Sequence, residues 1–224
     1  MAGIFITGTD TGIGKTHVTL SLIKSLQQQG LRVAGMKPVA SGAELVNGEL
    51  RNEDALLIQK TAGAEPPYDL INPYCFAPPV SPHLAARQAG VEIDLQHINE
   101  CYQQLAAESD MVIVEGVGGW LAPLSHQHTV ADLAQQLKLP VVLVVGIRLG
   151  CLNHAALTYK EIKQSGLKIL GWVANACDAE TQNIDAQIEY LSERLGQAPL
   201  VKLGHTESPI STDVNNILDL LNSI

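Results

Sequence analysis

Positive charge is scarce in this chain: 14 Lys and Arg stand against 23 Asp and Glu, for a net charge of −9. The few basic residues are scattered, which argues against a nucleic-acid or anionic-membrane partner. No apolar run approaches the roughly 20 residues that span a bilayer. The first residues carry no basic n-region, apolar h-region or cleavage site, so no secretory signal is expected. Cysteine is sparse as well. Cys75, Cys101, Cys151 and Cys177 lie far apart without a C-x-x-C pair, which indicates neither a zinc site nor a disulfide framework. A reducing cytoplasm suits such thiols. His126 and His128 lie close together, but no cysteine or third histidine completes a metal set. His17 and His83 read as ordinary. Internal repeats and low-complexity linkers are missing too.

What remains is the material of a globular domain. The chain has 224 residues, 46% of them apolar, enough for a sizeable core and for one α/β domain over 1–224. Strand-like runs recur at 3–7, 32–37, 111–115, 141–146, 169–174 and 200–203. Helical patterns lie near 15–29, 95–107, 129–137, 153–164 and 181–195, and Val214, Ile217, Leu218 and Leu221 suggest a closing helix. Such alternation predicts a mostly parallel sheet with helices on both faces. Six prolines between positions 64 and 82 exclude a central strand or long helix there. A functional loop and a plain connector fit that segment equally well.

The first run leads into Gly8-Thr9-Asp10-Thr11-Gly12-Ile13-Gly14-Lys15-Thr16, and a helical pattern follows. Strand, glycine-rich turn, Gly-Lys-Thr and helix together are the context of a phosphate-binding loop. Its glycines turn backbone N–H groups toward an anion, and the helix N-terminus adds positive potential. Lys15 is expected to reach the β- and γ-phosphates, and the Thr16 hydroxyl to hold Mg²⁺. The spacing is one residue longer than usual, because Thr9 stands where the first glycine would fall.

Ligands of an open parallel sheet bind outside the carboxyl ends of its strands, and the unusual residues fall there. Lys37 closes the second run. Alone it reads as a surface lysine, but beside a phosphate loop it is a cation for a transferring phosphoryl group. Glu115 closes an apolar run before Gly116-Val117-Gly118, as a second Mg²⁺ contact would, the alternative being a solvated loop acid. Asp54 stands at a helix start, where acids also favour the dipole. The stretch Gly150-Cys151-Leu152-Asn153 opens a helix whose free N–H groups could bind a carboxylate, with Asn153 either part of that site or an N-cap. Cys151 could have a lowered pKa there, yet no His–Asp partners mark a nucleophile, so it reads as structural. Asn175 ends the fifth run, where its amide could read an adenine edge.

Assembled in order, these blocks closely resemble the dethiobiotin synthetase family. They are joined by Lys37-Pro38-Val39-Ala40-Ser41-Gly42, Asn72-Pro73-Tyr74, Ser81-Pro82-His83, Gly118-Gly119-Trp120 and Gly171-Trp172-Val173-Ala174-Asn175. The resemblance runs to about Pro199 and weakens beyond. It implies a P-loop NTPase-like fold and an ATP- and Mg²⁺-dependent ring closure of 7,8-diaminopelargonic acid with CO₂, through a carbamate and a carbamic–phosphoric anhydride. Lys15 and Lys37 are then catalytic, and Thr16, Asp54 and Glu115 hold Mg²⁺. The implied nucleotide set is Gly12, Ile13, Gly14, Lys15, Thr16, His17, Asp54, Glu115, Gly116, Val117 and Gly118, with Asn175, Ala176, Gly204, His205 and Thr206. Thr11, Lys37 and Ser41 meet the diamine or carbamate. Gly150, Cys151 and Asn153 bind the substrate carboxylate across a homodimer interface, with Tyr190 from the same partner. Two departures stand out: Gly12 replaces an acid found in some members, and 203–206 lacks an Ile-Pro-Trp-like nucleobase loop.

Three other readings compete. A partner-binding switch ATPase of the partitioning type would carry a lysine where this chain has Asp10, and often a basic surface or amphipathic tail. An amidotransferase-type synthetase would need a glutaminase domain that 224 residues hardly accommodate. A regulatory nucleotide-binding module would leave Lys37, Glu115 and the carboxylate turn without a purpose.

Overall fold

The computed structural model describes residues 2–63, 66–176 and 180–204. In chain order, β1 (Ala2–Gly8), α1 (Lys15–Gln28) and β2 (Val33–Met36) come first. An excursion follows through β3 (Val39–Ser41), β4 (Glu44–Val46), β5 (Glu49–Arg51), α2 (Glu53–Ala62), α3 (Tyr68–Ile71), β6 (Tyr74–Phe76), α4 (Pro82–Ala89) and α5 (Leu95–Glu108). The chain then completes β7 (Met111–Glu115), α6 (Val130–Leu137), β8 (Val141–Gly146), α7 (Cys151–Gln164), β9 (Ile169–Asn175), α8 (Ile184–Leu195) and β10 (Val201–Leu203).

Six of these strands form one parallel sheet in the order β10-β9-β8-β1-β7-β2. Successive side chains of a strand point to opposite faces, and both faces here are covered by helices. Ile4 and Ile6 of β1 pack with Val18, Leu22, Ile23 and Leu26 of α1 and Ile58 of α2. Phe5, between them, joins the opposite layer with Ile98, Leu105, Leu133, Ala155 and Leu191 from the helices α5 to α8. Double burial explains why these strands read as unbroken apolar runs. From β1 the chain passes to β2, returns to β7, and then crosses to β8 on the other side of β1. The sheet therefore switches direction at the carboxyl end of β1, where a parallel sheet opens its crevice.

The excursion between β2 and β7 shapes that crevice. β3 pairs with β6, and β4 with β5 form a hairpin turned by Asn47 and Gly48, both at positive φ (53° and 85°). Among the described residues of the proline-rich segment only short elements form, the four-residue α3 and three-residue β6, before Pro82 opens α4 at a position whose N–H would have no intrahelical partner anyway. Most boundaries fall within a residue of the sequence expectation, and three that bear on the site differ from it. β2 stops at Met36, leaving Lys37 just beyond it; α7 begins at Cys151; α8 begins at Ile184. Cys177 and the expected closing helix at Val214, Ile217, Leu218 and Leu221 lie outside the described residues.

Candidate functional site

The turn after β1 is built by backbone geometry. Gly12 and Gly14 adopt φ of 70° and 85°, and a Cβ on Gly14 would stand 2.1 Å from Nδ2 of Asn175. Only glycine fits there. Gly14 also caps α1 without any side-chain cap, so the first-turn N–H groups face the turn, and the first intrahelical bond runs from Val18 N to Gly14 O (3.1 Å). Lys15 lies back along the loop and donates through Nζ to the Asp10 carbonyl at 2.7 Å. Burial, and then the neighbouring Lys37, lower the Lys15 pKa to about 8, against the opposite pull of Glu115, Asp54 and Asp10.

Beside this turn lies a cleft of about 400 Å³ lined by Thr11, Gly12, Lys15, Thr16, Lys37, Ser41, Asp54 and Glu115 among others. Its floor is a charged cluster. Lys37 Nζ lies 2.5 Å from Glu115 Oε1 and 3.3 Å from Asp54 Oδ2. The Thr16 hydroxyl donates to the same Glu115 oxygen at 2.9 Å. Glu115 is fully buried and Lys37 is 4% exposed, so neither the solvated acid nor the surface lysine describes them. Burial alone would lower the Lys37 pKa, but the Glu115 and Asp54 carboxylates outweigh it and raise the pKa, keeping the ammonium charged. Glu115 Oε2 is buried without a hydrogen-bond partner, a state that polar groups avoid unless something else binds there.

These donors suit Mg²⁺, which takes one or two carboxylates and completes its octahedron with water and phosphate oxygens. Thr16, Asp54 and Glu115 all line the cleft. Among the described residues, no group of three His, Cys, Asp or Glu forms an all-protein metal cage. Asp54 is also what its position suggested, a first-turn acid of α2, whose N-cap is Asn52 accepting from Ala55 N (3.3 Å).

Other expected residues fall in two groups. Gly116, Val117 and Gly118 continue from Glu115, and Val117 and Gly118 line the cleft. Asn175 and Ala176 end β9 beside β10; Asn175 donates to the Ile13 carbonyl at 2.7 Å, and Ala176 N to Leu203 O at 2.9 Å. Gly204 is exposed next to them, whereas His205 and Thr206 lie outside the described residues. His17 is exposed and absent from the cleft lining.

Gly150, Cys151, Asn153 and Tyr190 are not in the cleft of their own chain. Gly150, with φ of 92°, is the N-cap of α7; Asn153 sits inside the helix and is no N-cap. The Cys151 N–H is taken by the Arg148 carbonyl (3.0 Å), so an anion at this turn would have to use the N–H groups beyond it. Burial raises the Cys151 thiol pKa rather than lowering it, and its Sγ donates to Gln187 Oε1 at 3.1 Å. That thiol is structural.

Some contacts around the cleft had no signal in the sequence. Arg148 pairs with Asp10, tying the β8–α7 turn to the phosphate loop, while Asp10 Oδ1 accepts from Thr11 N at 2.8 Å. Asn52, Tyr68 and Asn72 form a buried network behind Lys37. A larger hollow of about 710 Å³ opens at the other end of the sheet, near Arg32 and Glu108, and contains none of the sequence candidates.

Comparison with known proteins agrees with this geometry. MinD cell division protein of Aquifex aeolicus superposes with a TM-score of 0.59 at 15% identity, over 100% of this chain and 96% of that one. A ParA family ATPase of Chlorobium tepidum gives 0.56 at 15% identity, over 99% of each chain. Sheet order, phosphate loop and these likenesses define the fold of a P-loop NTPase. A family model described as an AAA domain matches residues 2–207. ATP-dependent dethiobiotin synthetase BioD of Xanthomonas oryzae pv. oryzae is 48% identical over 191 residues, 85% of each chain. Its counterpart in Aromatoleum aromaticum is 47% identical over 197 residues, 88% of this chain and 87% of that one. The chain belongs to the family of ATP-dependent dethiobiotin synthetases.

Proposed function

We propose that the protein is a cyclo-ligase that converts 7,8-diaminopelargonic acid, CO₂ and ATP into dethiobiotin, ADP and phosphate. The observation that carries this is the Lys37–Glu115–Asp54–Thr16 cluster, with its Lys37–Glu115 pair buried, set against the phosphate loop, in a chain of this family. One substrate amine adds to CO₂ and loses a proton to give a carbamate. A carbamate oxygen attacks the γ-phosphorus, and ADP leaves. The second amine attacks the carbamoyl carbon, the C–O bond to phosphate breaks, a proton is released and the cyclic urea closes.

Each step asks for positioning and positive charge rather than a nucleophilic side chain. The first turn of α1 and Lys15 take the phosphates. Lys37 lies where negative charge builds between carbamate and γ-phosphoryl group, with Thr11 and Ser41 on the diamine side. Mg²⁺ on Thr16, Asp54 and Glu115 would neutralise charge on the phosphate oxygens. Asn175, with Ala176 and Gly204, would meet the adenine. Gly12 offers the diamine no carboxylate.

The substrate carboxylate would be held by the Gly150–Asn153 turn of a second copy, with Tyr190, because that turn does not line the cleft of its own chain. The reaction would take place in the cytoplasm. Among the described residues no helix is long and apolar enough to cross a membrane. A partitioning-type switch is not favoured: its fold matches at 15% identity, and where it needs a lysine Asp10 engages Arg148 and Lys15. The test is phosphate release from Mg-ATP with and without the diamine and bicarbonate. Release that requires both, with dethiobiotin found by mass spectrometry, is the expected result; release indifferent to the diamine would refute the reading.

A further inference from the structure

Lys37 has no regular secondary structure of its own, since β2 ends at Met36 and β3 begins at Val39. Its backbone is instead held by the proline-rich segment. The Lys37 N–H donates to the Ile71 carbonyl at 2.8 Å, and the Lys37 carbonyl accepts from Asn72 Nδ2 at 2.6 Å. Asn72 Nδ2 also donates to the Tyr74 carbonyl at 3.2 Å. Asn72 Oδ1 accepts from the Tyr68 hydroxyl at 2.9 Å. That hydroxyl accepts in turn from the backbone N–H of Asn52 at 2.8 Å, and Asn52 caps the helix bearing Asp54. All three side chains are buried: Asn72 is 2% exposed, Asn52 7% and Tyr68 8%. The Arg51 guanidinium lies 4.1 Å above the Tyr68 ring, covering it from the solvent side.

One hydroxyl thus joins the two backbone stretches that carry the ion-paired partners Lys37 and Asp54. Buried polar networks hold a unique geometry only when every member is satisfied, and here each donor and acceptor of the path has a partner. Truncating the hydroxyl would leave the Asn52 N–H and the Asn72 oxygen unpaired in the interior, and nearby backbone would move to find partners. A displacement of about 1 Å at a catalytic group is enough to slow a positioned reaction about 100-fold.

We propose that Tyr68 and Asn72 are positioning residues: through the Tyr68 hydroxyl they set the Lys37 ammonium between Glu115 and Asp54 at the reacting phosphoryl group. Neither touches the cleft. The inference rests on the proposed function for its effect on rate, but not for its effect on Lys37.

The test is Tyr68→Phe, which keeps the ring under Arg51 and removes only the hydroxyl, with Asn72→Ser as a second variant. Lysine acetylation kinetics, read by mass spectrometry on the folded chain, report each ammonium separately. Lys37 is expected to label at least tenfold faster than in the wild type, while Lys15, equally buried but held by α1, stays within about twofold. In the diamine-dependent assay kcat is expected to fall at least tenfold with KM for ATP within about twofold. Equal acceleration of both lysines would mean general loosening and would overturn the proposal, as would unchanged labelling or an unchanged kcat. If wild-type phosphate release ignores the diamine, the proposed reaction fails, and the labelling ratio still decides whether Tyr68 positions Lys37.

Discussion

Lys15 must be charged in a place that penalises charge. Burial and the nearby Lys37 lower its pKa from 10.5 to about 8, and a shift of that size corresponds to about 3 kcal/mol against the charged form. Because the folded-state pKa is the lower one, the unfolded chain binds more protons between about pH 8 and 10.5, so stability rises with pH through that window. Below pH 8 the penalty is fully present. In the proposed complex ATP phosphates would supply the missing counter-charge, and the penalty would be released on binding. Lys15→Met is therefore expected to be more stable than the wild type at pH 7, by up to about 3 kcal/mol, and to lose nucleotide binding. Urea unfolding of both proteins at several pH values checks this. The difference should shrink from pH 8 to 10.5, and a constant difference would contradict the assigned burial penalty.

At the scale of elements, what the sequence showed was what repeats or what is local. β1, β7, β8 and β9 were legible because strands buried on both faces leave continuous apolar runs. The phosphate loop was legible because strand, glycines, lysine and helix follow one another directly. The short elements β3, β4, β5, α3 and β6 were not, since three- and four-residue elements have no period to detect. Lys37 looked like an ordinary lysine when read alone, because its partner Glu115 is 78 positions away. The Arg148–Asp10 pair, 138 positions apart, left no sign at all. Cys151 read as structural, and the lowered pKa that the helix dipole alone would allow is not found, as sequence shows the helix start but not the burial that raises the thiol pKa. Tyr68 was silent for the same cause: the prolines around it fit a functional loop and a plain connector equally, while its hydroxyl reaches back to Asn52 across 16 positions.

At the scale of the whole molecule, a single chain offers a cleft lined by the phosphate loop, Lys37, Asp54 and Glu115, while the expected carboxylate turn does not line it. Leu149, beside that turn, is fully exposed, and Leu157 of α7 and Tyr190 of α8 are more than half exposed. The proposed dimer would join this surface to the neighbour's cleft. Mixing a Lys15-defective chain with an Asn153-defective chain is then expected to regenerate working sites, reaching up to about a quarter of wild-type activity for random pairing of chains in dimers. No recovery would locate the carboxylate site within one chain. The central claim is that the carbamate oxygen, and not water, receives the γ-phosphoryl group, and oxygen labelling tests it most directly. With freshly dissolved ¹⁸O-labelled CO₂, the diamine and unlabelled ATP, the phosphate released should carry one ¹⁸O atom, because the bond that breaks last is the carbamoyl C–O bond. Unlabelled phosphate under the same conditions would contradict the account.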